Sequence, residues 1–190
     1  MTASIIGYRL SGQDNDSTMF DGVSPNATCP KCGCLLDFEV INPLFDLKVR
    51  KFDFSYTYDG HCIVSENFKR FCDNSGYNNL CFRGFAKTPA FYDFTVRRVV
   101  EFDWESRKTR RERYCDLCKR YESVAGADPV FLRNDDCYLN DEFYGTDIFF
   151  GSDNQKHRLI IIGPGVYEAL NDQSFSGIHY KPIFKGGLGP

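Results

Sequence analysis

The sequence predicts an α+β fold with mostly antiparallel sheets and short helices. Three observations lead to this class: short apolar runs separated by turn signals, connections too short for parallel crossovers outside two helical segments, and two C-x-x-C pairs far apart in the chain. The length of 190 residues favours a single compact domain over 1–190, or two packed halves of about 1–105 and 106–190.

The first half begins with a polar, turn-rich loop over 14–26. In KFDFSYTY (51–58), aromatic residues alternate with polar ones, which is typical of a half-buried strand. Asp59 and Gly60 then predict a hairpin turn into a short strand over 62–64.

A short helix is predicted directly after this hairpin. Ser65 is a suitable N-cap, and Phe68 and Cys72 are spaced to share one face of the helix. Residues 74–76 provide the stop, and a strand is expected near 80–85.

The next strand is predicted over 94–104 (FTVRRVVEFDW), where apolar residues alternate with polar ones except at Arg98. The strand is followed by a basic segment that leads into the second cysteine pair. The simplest expectation for that segment is a solvated turn at the exposed edge of a hairpin.

The second half repeats the pattern of the first. After an acidic, turn-rich stretch over 134–147, an apolar run at 148–150, a strand over 159–162, a helix that begins at Gly163 and Pro164, and a final strand are expected. Residues 63–83 align with 161–181 without a gap, which indicates a possible internal duplication of a strand-helix-strand unit.

The most unusual feature of the composition is its nine cysteines. The count is odd, and the first residues lack the basic start and long apolar stretch of a signal peptide. We therefore expect a cytoplasmic protein without a disulfide framework. Four of the cysteines form two pairs, in CPKCG at 29–33 and CDLC at 115–118.

The two pairs predict a structural zinc site. Two thiolates on one tight turn can face the same ion, and two such turns give a closed tetrahedral set, here Cys29, Cys32, Cys115 and Cys118. Closing the long loop between the pairs costs about 4 kcal/mol, whereas structural zinc binding is worth roughly 10–16 kcal/mol, so the ion can join the two halves. A redox pair and plain buried thiols are the alternatives.

The remaining cysteines and the histidines are weaker ligand candidates. Cys34 lies close enough to compete as a ligand, and a histidine could also replace one of the four cysteines. The other cysteines have no partner at ligand spacing and are expected in the core, while the histidines are expected at strand ends. These cysteines are Cys62, Cys72, Cys81 and Cys137, and the histidines are His61, His157 and His179.

Charge is unevenly distributed although the net charge is only -3. Residues 97–120 carry nine basic side chains against five acids, and 134–155 carry six acids with no lysine or arginine. The acidic stretch is either a solvated loop or a face for a basic partner. A nucleic-acid-binding, zinc-ribbon-like protein that uses 107–120 is the alternative function, although the overall charge makes nucleic acid a less favoured partner.

The sequence contains no motif for nucleophilic, phosphate-binding or metalloprotease chemistry, and no run long enough to span a membrane. We therefore expect a protein that is not an enzyme, takes no small-molecule substrate and does not associate with a membrane.

The two pairs and the C-terminal segment resemble the bacterial double-CXXCG motif proteins, which are toxin-immunity proteins. The resemblance rests on CPKCG (29–33), CDLC (115–118) and the ending DIFFGSDNQKHRLIIIGPGVYEALNDQSFSGIHYKPI (147–183), which is similar to the tail of related immunity families. It implies a cytoplasmic, non-enzymatic protein that binds and neutralises a cognate toxin. The chain departs from the family pattern at Lys119, where the motif has glycine, so a looser second knuckle is expected.

Overall fold

The computed structural model describes residues 4–22, 28–133 and 139–187, which contain two short helices and an 11-stranded sheet. The elements in chain order are β1 (Ile5–Asp14), β2 (Phe54–Tyr56), β3 (Cys62–Ser65), α1 (Glu66–Asn74), β4 (Leu80–Gly84), β5 (Phe91–Val96), β6 (Val99–Val100), β7 (Arg110–Cys115), β8 (Arg120–Ala125), β9 (Phe143–Ser152), β10 (His157–Ile162), α2 (Pro164–Asn171) and β11 (Ile178–Phe184).

The first strand, β1, connects the two parts of the sheet. It pairs antiparallel with β10 and β11, and its last residues, Gln13 and Asp14, pair parallel with β2. The strand order is β4-β5-β3-β2-β1-β10-β9-β8-β7, with β11 beside β1 and β6 beside β9. Most pairings are antiparallel, so this sheet-dominated architecture agrees with the predicted α+β class.

Two strand-helix-strand units have the same topology. In the first, β3 and β4 flank β5, and both run antiparallel to it. In the second, β10 and β11 flank β1 in the same way. Each helix therefore connects two strands that are parallel but separated by one intervening strand. The shared topology fits the alignment of 63–83 with 161–181, and a duplication stays a hypothesis.

Both helices begin where the sequence predicts. Ser65 is the N-cap of α1, and its hydroxyl accepts a hydrogen bond from the Phe68 N–H at 3.2 Å. In α2, Gly163 is the N-cap and Pro164 occupies the first turn, where a missing N–H is harmless. Each helix turns its buried residues, among them Phe68 and Val166, into one shared core.

The strand predicted over 94–104 is interrupted, which corrects the sequence expectation. β5 ends at Val96 and belongs to the β3–β4 part of the sheet, whereas β6 begins at Val99 and pairs parallel with β9. Between them, the Arg97 N–H donates to the Asn79 carbonyl and the Arg98 carbonyl accepts from Gly145. At Arg97 and Arg98 the chain therefore passes from the part of the sheet formed by β3, β4 and β5 to the strand β9. The alternation of apolar and polar residues in the sequence gives no sign of this passage.

The described part of the acidic stretch, from residue 139 onward, contains a strand where a loop is the sequence expectation. Within it, β9 begins at Phe143 rather than near 148, because Phe143 and Thr146 are fully buried. Residues 134–138, which include Cys137, lie outside the described residues.

Strand β10 is buried on both faces. Leu159 and Ile161 point into one hydrophobic cluster, with Phe102 and Phe150, and Ile160 and Ile162 point into the cluster that holds both helices. Neither described helix has the length and apolar character needed to cross a bilayer. The boundary predicted near 105 falls in the turn between β6 and β7.

Candidate metal centre

The first cysteine pair forms a tight turn closed by backbone hydrogen bonds. The Gly33 N–H donates to the Cys29 carbonyl at 2.8 Å, and the Cys29 N–H donates to the Cys34 carbonyl at 2.8 Å. Gly33 has a φ of 74°, the left-handed conformation that glycine adopts at little cost. A bridge between Thr28 and Leu35 holds the two ends of this turn together.

The second pair forms the turn of the β7–β8 hairpin. Cys115 and Arg120 face each other across the hairpin, and the Lys119 N–H donates to the Cys115 carbonyl at 2.9 Å. Lys119 has a φ of 59°. The second knuckle therefore has the same backbone turn as the first, and the looser geometry expected from the missing glycine is not found.

The two turns bring the four predicted cysteines into one cluster. The Sγ atoms of Cys29 and Cys115 lie 3.8 Å apart, those of Cys32 and Cys118 lie 3.7 Å apart, and all four lie within 4.8 Å of one another. Around a zinc ion with bonds near 2.3 Å, tetrahedral geometry separates the sulfurs by about 3.8 Å. A disulfide would need about 2.05 Å, and all four thiols are free. The cluster can therefore hold one metal ion.

Backbone amides stabilise the thiolate form of the first cysteine in each knuckle. The N–H groups of Cys32 and Lys31 lower the pKa of Cys29 to about 7. The N–H groups of Cys118 and Leu117 lower the pKa of Cys115 in the same way. Thiolates are the form that ligates a metal, so both turns prepare one sulfur for binding.

Contacts outside the cluster hold the two knuckles against each other. The guanidinium group of Arg120 donates to the carbonyls of Leu35, at 2.8 Å, and of Leu36. Lys31 and Asp116 form an ion pair at the exposed tips of the knuckles. These contacts lie beside the sulfurs and help to hold the knuckles side by side.

The segment after the first knuckle is fixed to the second half of the chain. The Leu35 N–H donates to the Asn154 side chain at 2.7 Å. In the sequence, Arg120 appears only within the basic stretch and Asn154 within a polar loop. No local pattern identifies their role, because their partners are backbone groups more than 80 positions away.

The other thiol and imidazole groups lie outside the cluster. Cys34 is buried, and its sulfur lies 3.9 Å from Nζ of Lys156. Cys62 and Cys72 are in the core, as expected, and Cys81 is half-buried. Cys137 lies outside the described residues.

The histidines have neighbours other than the four sulfurs. Nδ1 of His61 lies 3.1 Å from the Asp93 carboxylate, and the ring of His179 lies 2.6 Å from the Gln13 side-chain amide. His157 packs against Tyr56, with ring centroids 5.4 Å apart. Among the described residues, the metal-ligating group therefore consists of the four predicted cysteines alone.

No protein-family model and no curated protein sequence matches this chain. The four sulfurs and the two turns that position them are therefore the observations that indicate a metal centre.

Proposed function

We propose that the four-cysteine cluster binds one structural zinc ion. The observation that supports it best is the pair of 3.7–3.8 Å sulfur separations, which match a tetrahedral four-thiolate site. Four thiolates fill the coordination shell and leave no position for water, so such an ion stabilises a fold and does not activate a nucleophile.

The experiment for zinc is elemental analysis of untagged protein, together with cobalt substitution. We expect about one zinc per chain, and cobalt should give intense thiolate-to-metal absorption that excess zinc abolishes. Protein that contains no zinc after purification without chelators, and that does not take up cobalt, would contradict the proposal.

We further propose that the protein is an immunity protein that neutralises a cognate bacterial toxin by direct contact. The support is the resemblance of CPKCG, CDLC and the C-terminal segment 147–183 to double-CXXCG immunity proteins. Cys29 and Cys115, the first cysteines of the two knuckles, are 86 positions apart in sequence, and their sulfurs lie 3.8 Å apart. This proximity is what the resemblance leads us to expect.

The environments of Cys62, Cys72 and His61 favour structural roles for these three groups over catalytic ones. Burial raises the pKa of Cys62 well above its usual value, and it also raises the pKa of Cys72, so neither is a ready nucleophile. The carboxylate of Asp93, which contacts His61, is also bound by the guanidinium group of Arg83 at 2.6 Å. The ion pair between Asp93 on β5 and Arg83 on β4 joins these two strands. The contact between His61 and Asp93 is therefore part of a structural network.

The alternative, nucleic-acid binding through 107–120, has less support. Arg110 pairs with Glu112 and Arg113 pairs with Glu122, so carboxylates offset part of the basic charge. Arg107 is also engaged, because it donates to the backbone carbonyl of Asp128. Arg107, Arg110 and Arg113 therefore do not form a row of free cations that could follow a phosphate backbone.

The test of the immunity role is co-expression with the product of the neighbouring gene. We expect protection of the cells and a 1:1 complex in light scattering after size-exclusion chromatography. A neighbouring gene product that is not toxic, or a toxin that neither binds the protein nor is neutralised by it, would contradict the proposal. Binding to a short duplex without any protection would instead favour the alternative.

A further inference from the structure

A groove beside the second knuckle is lined mainly by cationic and aromatic side chains. Its volume is about 390 Å³, within the size range of ligand pockets. We call it the basic-aromatic groove. Its lining includes Phe38, Trp104, Arg111, Lys119, Tyr121 and Lys156.

Arg111 lies at the centre of the aromatic part of the groove. Its guanidinium carbon lies 3.4 Å from the centroid of the Trp104 ring and 4.9 Å from that of Tyr121. Such cation–π contacts orient a guanidinium group but leave its in-plane N–H donors available. Arg111 has no carboxylate partner among the described residues.

Lys156 is the second unusual cation. It is only 4% exposed, and its ammonium group donates to the Tyr121 carbonyl and lies 5.6 Å from the centroid of the Phe38 ring. A buried ammonium is normally paired with a carboxylate. Across the described ranges, Lys156 has no carboxylate partner, and its other neighbour is the Cys34 sulfur at 3.9 Å, so it adds a cation to the groove.

The neighbouring strand residues show that this lack of pairing is local. Arg110 and Arg113, which flank the groove cation Arg111 on β7, both pair with glutamates. The acidic residue that lines the groove, Asp147, accepts a hydrogen bond from the Phe102 N–H at 2.8 Å. Asp147 is one carboxylate against the four cations that line the groove, Arg111, Lys119, Arg120 and Lys156, so the groove lining keeps an excess of positive charge.

We propose that the basic-aromatic groove binds an acidic segment of a partner protein, with ligand carboxylates at Arg111 and Lys119 and an apolar side chain against the groove wall. The proposal rests on the proposed function, because it names the chemistry by which the toxin would be held. Val124 and Ile148 also line the groove and provide the apolar contact. Bidentate contact with a carboxylate is the interaction for which a free guanidinium group is best shaped.

The geometry favours a peptide over a nucleic acid. Arg111 covers a face of Trp104 and approaches Tyr121, and the guanidinium carbon of Arg120 lies 5.1 Å from the Phe38 centroid. These rings are engaged by cations and are poor platforms for bases. A net charge of -3 for the chain also opposes a long polyanion but not a few carboxylates.

Trp104 is the single tryptophan of the chain and reports on the groove directly. We would titrate full-length, zinc-loaded protein with the peptide EEEFFEEE and follow tryptophan fluorescence. We expect a saturable change that weakens as salt is added. Arg111→Gln and Lys119→Gln should each weaken binding by about tenfold, whereas the matched control Arg110→Gln, whose side chain is paired with Glu112, should stay within about twofold.

Several outcomes would overturn the groove proposal. The proposal is wrong if EEEFFEEE does not bind, or if QQQFFQQQ or citrate binds as tightly as EEEFFEEE. It is also wrong if a single-stranded oligonucleotide binds more tightly than EEEFFEEE, or if the chain self-associates through the groove. Zinc content and thermal unfolding of each variant establish that it is folded, and the exposed Lys119 allows a second test if Arg111→Gln unfolds.

The toxin complex separates this proposal from the proposed function. If Arg111→Gln and Lys119→Gln leave toxin binding unchanged, the groove proposal fails and the immunity role stands. If the peptide binds as expected and no toxin is neutralised, the groove proposal stands and the immunity role fails.

Discussion

Lys119 adopts the same left-handed backbone conformation as Gly33, and each residue directly follows the second cysteine of its knuckle. Their φ values are 59° and 74°, and each N–H donates to the carbonyl of the first cysteine. Two segments far apart in the chain thus build the same turn, one with glycine and one with a side chain that disfavours it.

We expect Lys119→Gly to stabilise the protein. The left-handed conformation costs a lysine about 1 kcal/mol, part of which is offset by the greater freedom of glycine in the unfolded chain, so a gain of about 0.5 kcal/mol is expected. Urea unfolding of zinc-loaded protein measures it. Gly33→Ala is the matched test, because an added Cβ meets nothing within 4 Å; backbone strain and the lost freedom of glycine in the unfolded chain oppose each other again, so it should cost about 0.5 kcal/mol. A stabilising Gly33→Ala would show that strain at this position is unimportant.

Removing one predicted ligand should remove the metal. We expect Cys118→Ser to lose stoichiometric zinc and to unfold at lower urea concentration than the parent, because the ion joins segments that are distant in sequence. Cys81→Ser is the control, since Cys81 is half-buried and outside the cluster; its zinc content should not change. Full zinc occupancy in Cys118→Ser would show that a three-thiolate set suffices.

Stability should depend on the protonation of His157. Burial, together with the charges of Arg9 and His61, lowers the pKa of His157 to about 4 from an ordinary value of 6.5. The unfolded state therefore binds a proton more readily, so stability is fully present above pH 6.5 and is lost as the pH falls towards 4, by about 2–3 kcal/mol.

The measurement is urea unfolding at several pH values between neutral and 4, for the parent and for His157→Gln. Loss of the proposed metal at acid pH would affect both proteins equally, so the difference between them isolates the histidine, and His157→Gln should show the shallower dependence. His179→Gln, at an exposed position, should follow the parent. Identical slopes for parent and His157→Gln would contradict the prediction.

Asp53 links the two strand-helix-strand units. Its carboxylate accepts hydrogen bonds from the Ser65 hydroxyl at 2.7 Å and from the N–H and hydroxyl of Ser176, both at 2.9 Å. We expect Asp53→Ala to cost about 2–3 kcal/mol, because three donors lose their acceptor. Asp73→Ala is the control and should cost less than about 0.5 kcal/mol, since the Asp73 carboxylate forms an exposed i,i+4 pair with Lys69. Chemical denaturation of both variants tests the difference.

Local signals in the sequence identify the helices and the cysteine cluster. Ser65 and Pro164 mark helix starts through hydrogen bonding and a fixed φ, and both depend only on neighbouring residues. The C-x-x-C spacing is also a local signal, four residues long, so the four cysteines of the cluster could be predicted although the two pairs are distant in sequence.

Features that depend on distant partners could not be predicted. No strand was expected over Ile5–Asp14, because β1 is defined by pairing with three distant strands and its polar second half lacks regular alternation. The break at Arg97 and Arg98 depends on carbonyl and amide partners at Asn79 and Gly145. The same holds for Arg111, whose ring partners lie on separate elements and give no common pattern.

The position of β1 sets an order for folding during synthesis. Gln13 on β1 and His179 on β11 are in contact although 166 positions separate them. When β1 through β5 have left the ribosome, every strand of the first unit is available, but β1 stays unpaired with β10 and β11 until they emerge. The backbone N–H and C=O groups of β1 that pair with β10 and β11 therefore stay unpaired for most of translation. During that time, β1 is a segment to which a chaperone or a neighbouring nascent chain can bind.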